Sequence, residues 1–160
     1  MTRVGTGWDS HRLVRTDPPT PLILGGVQIE SELGLDGHSD ADVLTHAIID
    51  ALIGAAGLGD IGTLFPDTDE RYRGADSIEL LREVVRLLAA AGHVIANVDS
   101  TVLMERPKLA PYRERIRERL APALGVSPDM VSVKATTGEG LGFVGRGEGV
   151  AAIAVALLEQ

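Results

Sequence analysis

The stretch Gly37-His38-Ser39-Asp40-Ala41-Asp42-Val43-Leu44-Thr45-His46-Ala47-Ile48-Ile49-Asp50 constrains this chain more than any other. It opens with Ser39 and, three residues on, Asp42, the spacing of a capping box in which a hydroxyl and a carboxylate answer exposed backbone N–H groups. Val43, Leu44, Ala47, Ile48, Ala51, Leu52 and Ala55 then recur at helical spacing, which predicts a helix over 38–56 with a broad apolar face. Asp42, His46 and Asp50 fall at i, i+4 and i+8 and form one line along it. Such a stripe is costly to bury unless its members are paired or hold a cation. A solvated face with a capped start is the alternative reading.

Composition narrows the chemistry. The 160 residues are 44% hydrophobic, enough to bury a core as one domain spanning 1–160. The absence of cysteine removes disulfides, Cys-ligated zinc and thiol catalysis, leaving His and carboxylates as metal ligands. Fifteen basic against twenty-three acidic residues give a net charge of −8, which excludes a nucleic-acid footprint and an anionic membrane partner. A phosphorylated small molecule would then need local devices such as metal ions, backbone N–H groups or a few placed cations. No apolar run resembles a signal peptide or a membrane span, so a soluble, cytoplasmic chain is expected.

Strands are predicted from Thr2 to His11, in a pair from Pro21 to Ile29 broken at Gly25-Gly26, and at Val94–Leu103, Val131–Thr136 and Val150–Leu158. Helices are predicted after Asp76 or Ser77 up to Gly92, and from Tyr112 to Leu124. The order implies an α/β two-layer sandwich, a mixed sheet with helices on one face. The other face stays apolar, notably through the closing strand, so oligomerisation is expected there.

Three constellations carry chemistry. Asp9 and His11 share one face of the first strand. With His46 they make a three-ligand N/N/O set with a fourth position open, the pattern of catalytic zinc. Asp42 and Asp50, one turn either side of His46, are candidates to orient its imidazole. The second constellation, Lys134 to Gly149, contains Gly140-x-Gly142-x-x-Gly145, but too little chain follows for a dinucleotide-binding unit and no Walker lysine is present. It offers backbone N–H groups, the Thr136 and Thr137 hydroxyls, Glu139 and Arg146, suited to phosphate and hydrated magnesium; a tight β-connection is the plainer reading. The third, Glu105 to Ala110, holds Lys108, which in isolation reads as a surface lysine.

Together these stretches resemble the 2-C-methyl-D-erythritol 2,4-cyclodiphosphate synthase family of non-mevalonate isoprenoid biosynthesis. The resemblance rests on Gly7 to His11, His38 to Asp42 through His46-Ala47, Gly59 to Gly62, Phe65 to Asp69, Pro107-Lys108, Lys134 to Thr137 and Gly145 to Gly149, in family order. It implies that Asp9, His11 and His46 hold zinc and Glu139 a magnesium or manganese ion at the substrate diphosphate. His38 and Ser39 would contact phosphate, and His38 and Thr137 would steady the transition state. Asp60, Ile61, Gly62, Phe65, Pro66, Asp67, Thr68 and Asp69 would meet the methylerythritol part. Met104, Pro107, Lys108, Leu109, Ala110 and Ala135 would form a cytidine pocket. Thr136, Gly138, Phe143 and Arg146 would be further substrate contacts. The resemblance also implies a homotrimer with active sites between subunits, and with Arg146 and Glu148 near its axis. The chain departs from the family pattern at Ala41, usually glycine, and at Gly138, often threonine.

The implied reaction is a cyclisation in which the 2-phosphate of 4-diphosphocytidyl-methylerythritol 2-phosphate attacks the β-phosphorus and expels CMP. A zinc phosphohydrolase acting on a nucleotide diphosphate, with Asp42 or Asp50 as base, is the alternative within enzymes. A non-catalytic trimeric module binding metal and isoprenoid or nucleotide is the alternative outside them.

Overall fold

A computed structural model describes residues 1–160. Its first strand, β1 (Thr2–Val14), carries glycine at positions 5 and 7 on the face that meets a helix. A Cβ at Gly5 would lie 2.0 Å from the Ala51 carbonyl oxygen, and one at Gly7 would lie 1.9 Å from that of Ala47. Helix α1 (Val43–Ala56) therefore rests directly on the strand backbone, with its alanines at the contact. Only Asp50, Gly54 and Ala56 of α1 escape burial, as expected of a helix packed on every side.

The helix begins at Val43, five residues after the start predicted at 38. Ala41 adopts φ 56°, the left-handed region, which breaks any continuous helix from His38. The cap is Asp42, whose carboxylate accepts from Thr45 N at 3.0 Å and Thr45 Oγ1 at 2.8 Å. The same carboxylate receives the N–H groups of Gly25 (2.9 Å) and Gly26 (2.7 Å), at the turn between β2 (Leu22–Leu24) and β3 (Val27–Ile29). Both glycines have positive φ, as a two-residue hairpin turn requires.

A two-residue strand, β4 (Gly34–Leu35), follows and pairs with the end of β1. The long connection after α1 holds a short helix, α2 (Ile61–Leu64), and a 3₁₀ turn at Glu70–Tyr72. Helix α3 (Ser77–Ala90) is capped by Asp76. Then come β5 (Val94–Leu103), α4 (Arg113–Leu124), β6 (Val131–Thr136), the short α5 (Gly142–Gly145) and β7 (Gly149–Glu159). The main sheet runs β4-β1-β7-β5-β6; β5 and β6 are parallel and the other pairs antiparallel, so the sheet is mixed as predicted. No helix is long and apolar enough to cross a membrane.

The inner face of the sheet contributes Val98, Val102, Val133, Val150, Ala152, Ala154 and Ala156 to the core beneath the helices. The outer face is open. Trp8 is paired with Ile153 and Thr6 with Val155, and Trp8 (56% exposed), Val4 (64%) and Ile153 (42%) leave an apolar stripe in water.

Candidate functional site

At the far end of β1 the pleat sends Asp9 and His11 to the same face, and the first turn of α1 brings His46 against them. His11 Nε2 lies 2.9 Å from Asp9 Oδ2, His46 Nδ1 lies 3.2 Å from Asp9 Oδ2, and the two ring nitrogens are 3.4 Å apart. A tetrahedral ion with ligand bonds of about 2.0–2.1 Å needs ligand atoms roughly 3.3 Å apart. The three atoms thus outline one face of such a tetrahedron, and the triad could hold a metal ion with one vertex left for a ligand.

Electrostatics at the triad suit a cation. Burial alone would raise the Asp9 carboxyl, but hydrogen bonds and charge attraction from His11 and His46 outweigh it and hold the pKa at about 2. His11 also works against burial; the hydrogen bond and charge of Asp9 raise its pKa above 6.5. His11 Nδ1 faces the carbonyl oxygen of Asp36 at 2.9 Å. A carbonyl only accepts, so Nδ1 carries a proton, and in the neutral ring that leaves the Nε2 lone pair for the triad.

Asp42 and Asp50 do not orient His46. Burial pushes the Asp42 carboxyl up, donors from Thr45 and Gly26 pull it back, and its oxygens are spent on the helix cap and the β2–β3 turn. Asp50 Oδ1 accepts from Ile61 N at 3.0 Å and so holds the start of α2. Helical spacing puts the three side chains in line, but a neighbouring loop claims each carboxylate. The groups on His46 Nε2 are Ser77 Oγ at 2.7 Å and Ser39 Oγ at 3.2 Å. Ser39 thus turns toward the imidazole and does not cap the helix.

The triad forms one wall of a cavity of about 460 Å³. His38, Ser39, Ile61, Gly62, Phe65 and Asp67 line it, as does Trp8. Asp60, Pro66, Thr68 and Asp69 stand outside that lining. Asp60 caps α2 through Thr63 N at 2.8 Å, and Asp69 pairs with Arg71 while its carbonyl oxygen lies 3.3 Å from His38 Nε2. Their carboxylates have local structural employment.

The second group of predicted residues gathers elsewhere. The sheet register aligns Ser10, Ala151, Leu103 and Thr136 in one row across β1, β7, β5 and β6. Three strand spacings separate Ser10 from Thr136, about 14 Å. Beyond Thr136, Glu139 has φ 52°, its N–H donates to Thr137 Oγ1 at 3.2 Å, and Gly138 N donates to Glu105 Oε1. Glu105 so ties the Lys108 segment to this loop. Lys108, Ala110, Ala135 and Glu139 are exposed and Pro107 half-buried, whereas Met104 and Leu109 are packed in the core, leaving them only backbone atoms to offer a ligand. Arg146 Nε donates to Glu148 Oε1 at 2.7 Å, and Phe143 stands exposed beside a smaller recess shared with His11 and Glu148.

The sequence pattern of the YgbB family matches residues 2–159. The chain belongs to the YgbB family. It is 62% identical over 158 residues to the 2-C-methyl-D-erythritol 2,4-cyclodiphosphate synthase of Laribacter hongkongensis, covering 99% of this chain and 96% of the relative. Among solved structures it superposes on a 2C-methyl-D-erythritol-2,4-cyclodiphosphate synthase with CDP bound at a TM-score of 0.89 and 42% identity, covering 98% of this chain and 100% of that one. It also matches the bifunctional IspDF of Campylobacter jejuni at a TM-score of 0.93 and 41% identity; 99% of this chain is covered, but it spans only 42% of that protein.

Within this YgbB-family chain, sequence reasoning missed Asp36, Asp40 and Ser77 as neighbours of the triad. Ser77 lies 31 residues from His46 and reads as the start of a helix. Asp40 carried one signal, its place inside the His38–Asp42 motif.

Proposed function

We propose that this chain is a 2-C-methyl-D-erythritol 2,4-cyclodiphosphate synthase, a phosphorus–oxygen lyase of the non-mevalonate isoprenoid route. Its substrate would be 4-diphosphocytidyl-2-C-methyl-D-erythritol 2-phosphate, cyclised with release of CMP. The observation that carries the reading is the tetrahedral face formed by Asp9, His11 and His46 on a cavity, in a chain 62% identical over nearly its full length to such a synthase. Asp9, His11 and His46 would hold zinc, and Glu139 a magnesium or manganese ion. When bound, these ions supply charge neutralisation at the phosphates.

The attacking oxygen belongs to the substrate's own 2-phosphate, so the protein needs no nucleophile and base of its own. Its residues position and shield. His38 and Ser39 border the triad and would present the imidazole and hydroxyl to phosphate, while Thr136 and Thr137 offer hydroxyls from the β6 loop. Phe65, Ile61 and Gly62 would enclose the methylerythritol carbons. Lys108, with backbone groups of Met104, Leu109 and Ala135, would receive the cytidine, a reading favoured by the CDP bound to the related synthase.

A homotrimer with sites between subunits fits two features. The outer sheet face is apolar, and the Thr136 end of β6 lies about 14 Å from the Ser10 end of β1, too far for one diphosphate to bridge within a chain. Arg146 and Glu148 would then lie near the axis. A cytoplasmic setting accords with a chain that carries no cysteine. Product analysis by ³¹P NMR tests the function. The cytidylyl substrate should yield CMP and a cyclic diphosphate, lost on chelation and restored by zinc with magnesium. Inorganic phosphate as the main product would support the hydrolase, and no turnover the binding module.

A further inference from the structure

His46 presents Nδ1 to the triad and turns Nε2 toward the first residue of α3. An imidazole can serve a metal through Nδ1 only if its neutral-form proton sits on Nε2. The structure contains a device that puts it there. Ser77 Oγ, fully buried, lies 2.7 Å from Nε2. Behind it Asp40 Oδ1 is bonded to Ser77 Oγ, and Asp40 Oδ2 receives the Ser77 N–H at 2.9 Å. Asp40 Oδ1 also receives the N–H of Asp42 at 3.2 Å. With backbone N–H groups directed at both oxygens, the carboxylate acts as acceptor, so the single Ser77 hydroxyl proton points to Asp40. Ser77 Oγ then faces Nε2 with a lone pair, which only an Nε2–H can satisfy. Ser39 Oγ, at 3.2 Å, is the other hydroxyl near Nε2, is more distant and has no carboxylate behind it.

We propose that Asp40 and Ser77 are positioning residues: a carboxylate–hydroxyl relay that fixes the His46 tautomer and thereby the metal affinity of the triad. It does for His46 what the Asp36 carbonyl does for His11. It also joins the metal ligand to the end of the long α1–α3 connection, because the Asp40 N–H donates to Ala75 O and the Gly74 N–H to His38 O. The segment that borders the cavity through Ile61, Gly62 and Phe65 is therefore pinned at its far end to the residue that sets the imidazole. The inference rests on the zinc reading of the triad, so its test separates the two.

The full chain is labelled with ¹⁵N-histidine and prepared with and without zinc, as wild type, Ser77→Ala and Asp40→Asn. Histidine ring ¹⁵N shifts report the tautomer, and competition with a chelator reports zinc affinity. In the wild type without metal, His46 Nε2 should carry a proton, held by Ser77 at 2.7 Å against the Asp9 carboxylate, which faces Nδ1 at 3.2 Å and favours the other tautomer. Both variants should mix the tautomers of His46, leave those of His11 unchanged, and bind zinc about 10- to 100-fold more weakly. Asp40→Asn is close to isosteric and keeps the test decisive if Ser77→Ala destabilises the start of α3. A single unchanged His46 tautomer and wild-type zinc affinity in both variants would overturn the relay. A wild type that binds no zinc would overturn the triad reading instead, and the tautomer shifts would still decide whether the relay exists.

Discussion

At His11 a backbone carbonyl, and at His46 a serine hydroxyl, lie against the nitrogen that faces away from Asp9. The triad itself was legible in the sequence, because a strand period of two puts Asp9 and His11 on one face and helix spacing singles out His46. Its support was not. A stripe of carboxylates along a helix says nothing about which loops will arrive, and those loops took Asp42 and Asp50 for structural hydrogen bonds. The His46→Ala variant should fold but lose the one zinc ion expected per chain, read by elemental analysis; retained zinc would contradict the ligand assignment. The pH dependence has a definite sign. Asp9, with its pKa at about 2, stays ionised from pH 5 to 8, so its carboxylate adds no proton competition there. The pKa of His11 is raised, so competition should begin above pH 6.5 as pH falls. Apparent zinc affinity, measured by chelator competition, should therefore already decline between neutrality and pH 6.5. An affinity flat down to pH 6 would contradict it.

The elements follow their periodicities closely, and departures have local causes. The spans predicted for β5, β6 and β7 hold to within one residue at either end, whereas β1 runs three residues past His11 because β4 and β7 both supply partners there. Two-residue β4 has no pattern to read. The late start of α1 follows from the left-handed backbone at Ala41, which residue type alone did not announce. Gly5 and Gly7 seat α1 on the strand, and residue type alone does not name the helix they meet. Gly7→Ala should test that seat. Its Cβ would meet the backbone of α1 with no flexible side chain to move aside, so a loss of at least about 3 kcal/mol is expected in denaturant unfolding. A change under about 1 kcal/mol would show that the helix can lift off the strand without consequence.

For the whole molecule, the proposed homotrimer draws its support from the apolar outer face and from the distance between the Ser10 end of β1 and the Thr136 end of β6. Light scattering should give a mass near three times the 16.9 kDa chain, and Val155→Glu, which places a charge in the outer stripe, should lower it. A stable wild-type monomer at micromolar concentration would contradict the shared site. His46→Ala and Glu139→Gln should each be nearly inactive alone. Dissociated and reassembled together in equal amounts, they should recover about a quarter of wild-type turnover, since one site in four then draws an intact triad and an intact Glu139 from different subunits. No recovery would place both groups in one chain's site. The cyclisation itself is tested most directly by running the reaction in ¹⁸O-water. With the substrate's own phosphate as nucleophile, CMP and the cyclic diphosphate should both form without label; ¹⁸O in either product would contradict the account.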